Sequence, residues 1–272
     1  MNNKRKLLSI PYLLWAIVFI IIPLFMVVYY GITDKTGAFT FANIAAIATA
    51  EHGKALWLSV LLSFMSTVVC LLLAYPLAMI LSKMNIASNS FLVLIFILPM
   101  WMNFLLRTLA WLSLLEKTGV INNILKFFGL PTMNIINTPG AIILGMVYNF
   151  LPFMIMPIYN ALVKIDPNVI NAARDLGAGP FKTFTKVIFP LSIPGVISGI
   201  TMVFVPALTT FVISTILGGN KILLIGNVIE LEFTTTGNWH LGSGLSMVLM
   251  VFIVISMILT AIFDKDGEGS ML

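Results

Sequence analysis

PGAIILGMVYNFLPFMIMPIYNALV (139–163), followed directly by KIDPNVINAARDLGAGPFKTFTKVIFPLS (164–192), is the stretch on which the fold turns. Its first half has no charged residue and exceeds the roughly 20 residues that a helix needs to cross a bilayer. Its second half changes character at Lys164 and carries Lys164, Asp166, Arg174, Asp175, Lys182 and Lys186. Asp166-Pro167 offers an N-cap and a first-turn proline. Val169, Ala172 or Ala173, and Leu176 recur at helical spacing, and Gly177 suits a left-handed C-terminal cap. The spacing therefore predicts a short helix outside the membrane. Phe181, Phe184, Val187 and Ile188 predict a second apolar stripe, and Pro190 with Pro194-Gly195 predicts the turn back into the bilayer. A helix–turn–helix hairpin between two spans is the expectation.

Outward from that segment, the 272 residues are 60% apolar and only 9% charged, with a mean hydropathy of +1.06; soluble domains carry about 25% charge. In a bilayer every backbone polar group must be satisfied internally, so spanning segments are helices or closed barrels, and these apolar runs are too long and unalternating for barrel strands. Six stretches qualify: Leu13 to Tyr30, Trp57 to Ser82, Phe91 to Leu115, Pro139 to Val163, Ile193 to Leu217 and Ser243 to Phe263. Lys4, Arg5 and Lys6 precede the first as in a signal peptide, but no small-x-small cleavage site follows Tyr30 and the apolar run is long, which favours a retained helix. With the N-terminus inside, the inner segments hold nine Lys and Arg and the outer ones five, Arg107 lying within a span. Positive charge stays on the cytoplasmic side, so both termini are expected there. The chain then divides into a cytoplasmic N-terminal segment (1–12), a transmembrane domain (13–263) with the loop at 164–192, and a polar cytoplasmic tail (264–272).

The chemistry is bounded by what the spans lack. None of the six contains Asp or Glu, and His52 and His240 fall in outer loops, so the intramembrane carboxylate or histidine chains of proton-coupled pumps are missing. No G-x-x-x-x-G-K-[ST] phosphate loop occurs, so a motor would have to be carried on another chain. Scattered Ser, Thr and Asn suit helix packing better than a nucleophile–base pair. The lone Cys70 lies in a span and supports no disulfide or metal framework. No catalytic residue, metal or cofactor is expected, and the net charge of +5 is a topology signal with no bearing on nucleic acid.

Asn171-Ala172-Ala173-x-x-x-Gly177, nine residues, then Val187-x-Phe189-Pro190 resembles the EAA loop of ATP-binding-cassette importer permeases. The resemblance implies an all-α integral membrane protein of about six spans, the type I importer permease fold, with a cytoplasmic coupling-helix hairpin that sits in a groove of the ATPase. It assigns the ATPase contact to Asn171, Ala172, Ala173, Leu176, Gly177 and Pro190: small alanines for close approach, Leu176 to fill a pocket, Gly177 for the turn. Asn171 stands where the family usually has Glu, so a neutral hydrogen bond would replace a charge pair. Pro152 to Tyr159, Ala172 to Ala178 and Gly218 to Ile229 extend the similarity to the first permease of spermidine/putrescine importers. Implied partners are a second homologous permease, two ATP-binding subunits and an extracytoplasmic substrate-binding protein, at the inner membrane of a bacterial cell.

A polycation would be repelled by Arg107, and no carboxylate in the spans offsets it. The neutralising carboxylates would come from partners, leaving this chain to offer aromatic faces for cation–π contact: Trp101, Trp111 and Tyr148 are the candidates on the path, alongside Arg107. Tryptophan and tyrosine also collect at membrane interfaces, and Arg107 has two readings, a gate or inter-subunit anchor and a snorkelling charge. The segment Gly218 to Gly242 is expected at the outer surface as a lid. Pro76, Pro99, Pro152, Pro157 and Pro206 favour kinks. Rival functions are the same architecture moving sulfate, molybdate or ferric ion, a secondary transporter, and a membrane scaffold that only recruits an ATPase.

Overall fold

The computed structural model describes residues 10–83, 98, 100–219 and 221–268. Among them the chain is nearly all helix, with a single isolated bridge between Thr33 and Phe39. Five helices are long and apolar enough to cross a membrane: α1 (Pro11–Gly31), α2 (Ala50–Lys83), α5 (Pro139–Val163), α7 (Pro180–Thr209), and α10 (Trp239–Glu268), whose apolar part is Trp239–Ile262. Shorter helices are α3 (Phe104–Leu115), α4 (Val120–Phe127), α6 (Pro167–Asp175), α8 (Val212–Gly218) and α9 (Ile225–Thr234).

Three expectations are corrected. The third expected span, Phe91 to Leu115, begins outside the described residues. Its described part is interrupted, because Asn103 leaves the helical conformation and its side chain accepts hydrogen bonds from Leu105 N (2.9 Å) and Leu106 N (3.3 Å), starting α3 afresh. The fifth span begins earlier and ends earlier than Ile193 to Leu217. Pro190 makes no turn; it lies in the first turn of the helical segment that follows a π turn over Phe184–Ile188, and the helix runs on without a break. A proline lacks the N–H that an interior helix position needs, and the wider π turn just before it accommodates that loss. At the other end Thr209 Oγ1 bonds back to Val205 O (3.2 Å) and Pro206 O (3.3 Å) and Thr210 is extended, so α7 stops and α8 starts separately. Third, the part of Gly218 to Gly242 from Leu224 to Asn227 is buried rather than a surface lid, Leu224 and Ile225 showing no exposure.

The chain forms two compact units. One comprises residues 57–227 and 253–272. Its core is built on α5, whose Ile142, Met146, Met154 and Ile158 are fully buried, and α7 packs along α5 through two close glycine contacts. A Cβ on Gly195 would meet Ala161 Cβ and Pro157 O at 2.6 Å, and one on Gly199 would meet Met154 Sδ at 2.7 Å. Small residues at such crossings let membrane helices approach. Gly195→Val is expected to lower the melting transition of the detergent-solubilised protein, at a cost of about 2–3 kcal/mol, because neither neighbouring backbone can yield.

The other unit comprises residues 1–56 and 228–252. After α1 the chain makes a tight turn in which Asp34 accepts from Thr36 Oγ1 (2.6 Å), Thr36 N (2.8 Å) and Ala38 N (2.9 Å). Those bonds, the Thr36 hydroxyl first, hold the exposed Asp34 carboxyl below its usual range. Asn43 Nδ2 and His240 Nδ1 both reach Thr33 O, at 2.8 and 2.7 Å, tying the turn to the start of α10.

Candidate functional site

The hairpin forms because each of its ends is capped. Asp166 Oδ1 accepts from Asn168 N (2.9 Å) and so starts α6. At the far end Gly177 adopts φ +80°, its N–H bonds to Arg174 O (2.8 Å), and Ala178 N bonds to Ala173 O (3.0 Å). This pair of bonds is a Schellman cap, which needs a left-handed residue and so favours glycine. The buried Thr183 closes the turn by donating to Gly179 O (3.1 Å) and Ala178 O (3.3 Å).

The caps hold Leu176 89% exposed at the tip and Phe181 78% exposed beside it. Asn171 and Ala172 are exposed and Ala173 is half-buried, so the two alanines differ: Ala172 faces outward and Ala173 turns toward the chain. Ile170 packs against the core of this unit. The hairpin is thus a fixed support carrying an uncovered apolar knob, a form suited to insertion into a pocket on another protein.

Below the hairpin Tyr75 of α2 binds the foot of α7. Its ring lies 5.8 Å from those of both Phe184 and Phe189, and its hydroxyl is 2.7 Å from Ser192 Oγ. The sequence offered no signal for this residue, since it acts on partners more than a hundred positions away.

Of the candidates on the path, Trp111 and Tyr148 are brought together, with ring centroids 5.3 Å apart and planes at 70°. Trp101 lies on the other side of the Asn103 cap, 76% exposed, and does not join them. Arg107 is 7% exposed on the inward stripe of α3 shared by Thr108 and Leu115, and its Nε and Nη1 have no hydrogen-bond partner among the described residues. Asn149 Oδ1 and Ser63 Oγ are likewise buried and without partners among the described residues.

A polar centre that sequence reading missed lies at the α7–α8 break. Asn227 Oδ1 accepts from Ser214 Oγ (2.5 Å) and Leu224 N (3.0 Å), while its Nδ2 donates to Phe211 O (3.0 Å) and Thr215 Oγ1 (2.7 Å). Ser59 Oγ accepts from Ile225 N (2.8 Å), attaching the same segment to α2. Among the described residues no group of three His, Cys, Asp or Glu side chains could hold a metal ion.

Residues 6–266 match the model of the family described as binding-protein-dependent transport system inner membrane component. The spermidine/putrescine transport system permease protein PotB of Haemophilus influenzae is 36% identical over 93% of this chain and 92% of its own length. That of Escherichia coli is 34% identical over 87% of this chain and 89% of its own. Among solved structures, a bacterial alginate ABC transporter in complex with an alginate pentasaccharide-bound periplasmic protein superposes with a TM-score of 0.79 at 14% identity, covering 94% of this chain and 91% of that one. The inward-facing methionine transporter MetNI gives 0.58 at 18% identity, covering 78% and 94%.

Proposed function

Because the chain belongs to the family of binding-protein-dependent transport system inner membrane components, an ABC-importer permease without catalysis of its own, we propose that it carries spermidine or putrescine across the membrane. It works with an ATPase and a substrate-binding protein. The cargo reading is supported by the PotB relatives, which match over nearly the full length of both chains. Pairing with a second permease and two ATPase subunits, and cytoplasmic placement of both termini, form part of the same proposal; the distribution of Lys and Arg supports the orientation.

The observation that carries the mechanism is the uncovered Leu176 on a doubly capped helix. ATPase closure would be read by Asn171, Ala172, Ala173, Leu176 and Gly177, with Pro190 within the helix that leads the motion into the membrane. A contact of this kind shifts the permease between outward and inward states only through its difference in free energy between them. Trp111 and Tyr148 would present aromatic faces to an ammonium group, with the carboxylates supplied by partners. Arg107 would hold a positive charge in the wall of the helix bundle rather than contact the cargo.

The test is ATP-dependent uptake of labelled spermidine and putrescine into proteoliposomes holding the assembled complex. Leu176→Ser is expected to lower uptake about ten-fold or more, since it removes an apolar anchor, with little change in the melting of the permease, since the side chain is exposed. Uptake competed equally by sulfate or ferric ion would discard the polyamine, and undiminished coupling in Leu176→Ser would discard the assigned contact.

A further inference from the structure

At the end of α5 opposite the hairpin, the segment around α4 leaves a large apolar surface uncovered. Val120, Ile124 and Phe127 recur at helical spacing, 52, 52 and 86% exposed, and Phe128 (69%) and Leu130 (53%) extend the patch. The other face of the helix is already used, because Ile121 packs on the core and Asn122 is buried. Asn122 Nδ2 donates to Glu116 O (3.0 Å) and Met133 O (2.9 Å), and its Oδ1 accepts from Met133 N (2.8 Å). Those bonds fix the loop around an open recess of about 390 Å³ lined by Lys117, Thr118, Lys126, Thr132 and Asn134.

We infer that α4 lies in the membrane interface, its Val120–Ile124–Phe127 face immersed in the bilayer and Lys117 and Lys126 binding an anionic lipid headgroup. An amphipathic helix with bulky apolar residues on one face and lysines beside it is the form that partitions into the headgroup–acyl boundary. The charge is complementary: Glu116 is the only carboxylate between residues 104 and 163, and neither lysine is held in an ion pair among the described residues. Only residues 116–119 separate α4 from α3, whose Leu105, Leu106 and Leu109 continue the exposed apolar surface.

A substrate-binding protein is the rival occupant. It leaves between cycles, and each departure would return two phenylalanines to water, whereas lipid is always present. The inference requires only that α5 crosses the bilayer and does not depend on the cargo.

Nitroxide labels placed at Phe127→Cys, Leu72→Cys and Ala38→Cys, each with Cys70→Ser, would be compared in the assembled transporter in nanodiscs of phosphatidylethanolamine with phosphatidylglycerol. Leu72, 68% exposed on α2, is the bilayer reference, and Ala38, exposed in a loop, is the aqueous one. The expected result is that position 127 collides several-fold more with oxygen than with a water-soluble nickel chelate, as Leu72 does. Lys117→Gln with Lys126→Gln should reduce that ratio in anionic nanodiscs to the value found in phosphatidylcholine. A label at 127 that matches Ala38 overturns the inference. Protection that appears only after the binding protein is added makes the patch a protein-docking surface and also overturns it, and a lysine double variant with an unchanged ratio removes the headgroup site. Spermidine uptake assayed on the same preparation separately decides the cargo.

Discussion

Gly177→Val is expected to abolish ATP-driven uptake while the permease still inserts and still assembles. Gly177 sits at φ +80°, where an L-residue costs about 1–2 kcal/mol and a β-branched one is a genuine outlier. A Cβ there would meet nothing within 4 Å, so the whole effect is backbone strain at the tip and leaves the core untouched. The strain is relieved by moving φ out of the left-handed region, which breaks the Ala178 N to Ala173 O bond and swings Leu176 away from its present direction. Uptake should fall by at least about ten-fold, equivalent to 1.4 kcal/mol of lost coupling. Gly177→Asn, which tolerates the left-handed region better, should retain much of the activity. Equal loss in both variants would point to the side chain in the interface rather than to the turn.

The second large effect is expected at Asn227. Asn227→Leu leaves Ser214 Oγ and Leu224 N without the acceptor they share and removes a donor from Phe211 O and Thr215 Oγ1, all at a site where Asn227 is 3% exposed. Ser214 Oγ keeps an acceptor in Phe211 O (2.9 Å), and Phe211 O keeps Thr215 N and Thr215 Oγ1, so Leu224 N is the group left buried and unsatisfied, at a cost of about 1–3 kcal/mol. A marked fall in melting temperature in detergent and reduced folded yield are the readouts. Asn227→Asp should be milder, because the acceptor oxygen remains for Ser214 and Leu224. A variant as stable as the wild type would mean that water or another side chain already shares these bonds.

What could be read beforehand followed from local chemistry. The bounds of α5 were legible because Pro139 opens it after a capping Thr138 and Lys164 closes it, and the hairpin was legible because Asp166 and Gly177 each have one favoured structural use. Apolar composition is blind to breaks within apolar stretches. The Asn103 cap inside the third run, and the extended Thr210 that separates α7 from α8, leave no trace in hydropathy. Pro190 was read as a turn because proline is costly in a helix interior, but placed just after a π turn its missing N–H carries no such cost. Tyr75 and Asn227 were illegible for another reason. Their roles depend on partners brought near by packing, and no residue type announces that.

The unbroken course of α7 from Pro180 to Thr209 makes a connecting rod of about 45 Å, taking 1.5 Å per residue. One end begins at the hairpin turn and the other stops where the chain breaks at Thr210, so a rocking of the foot by about 5° would carry the far end sideways by roughly 4 Å. The π turn at Phe184–Ile188 is the compliant collar nearest the foot of that shaft, with Pro194 and Pro206 further along it. Stiffening or softening it should change the ratio between stroke at the base and displacement at the tip, while leaving the capped hairpin and its exposed Leu176 untouched.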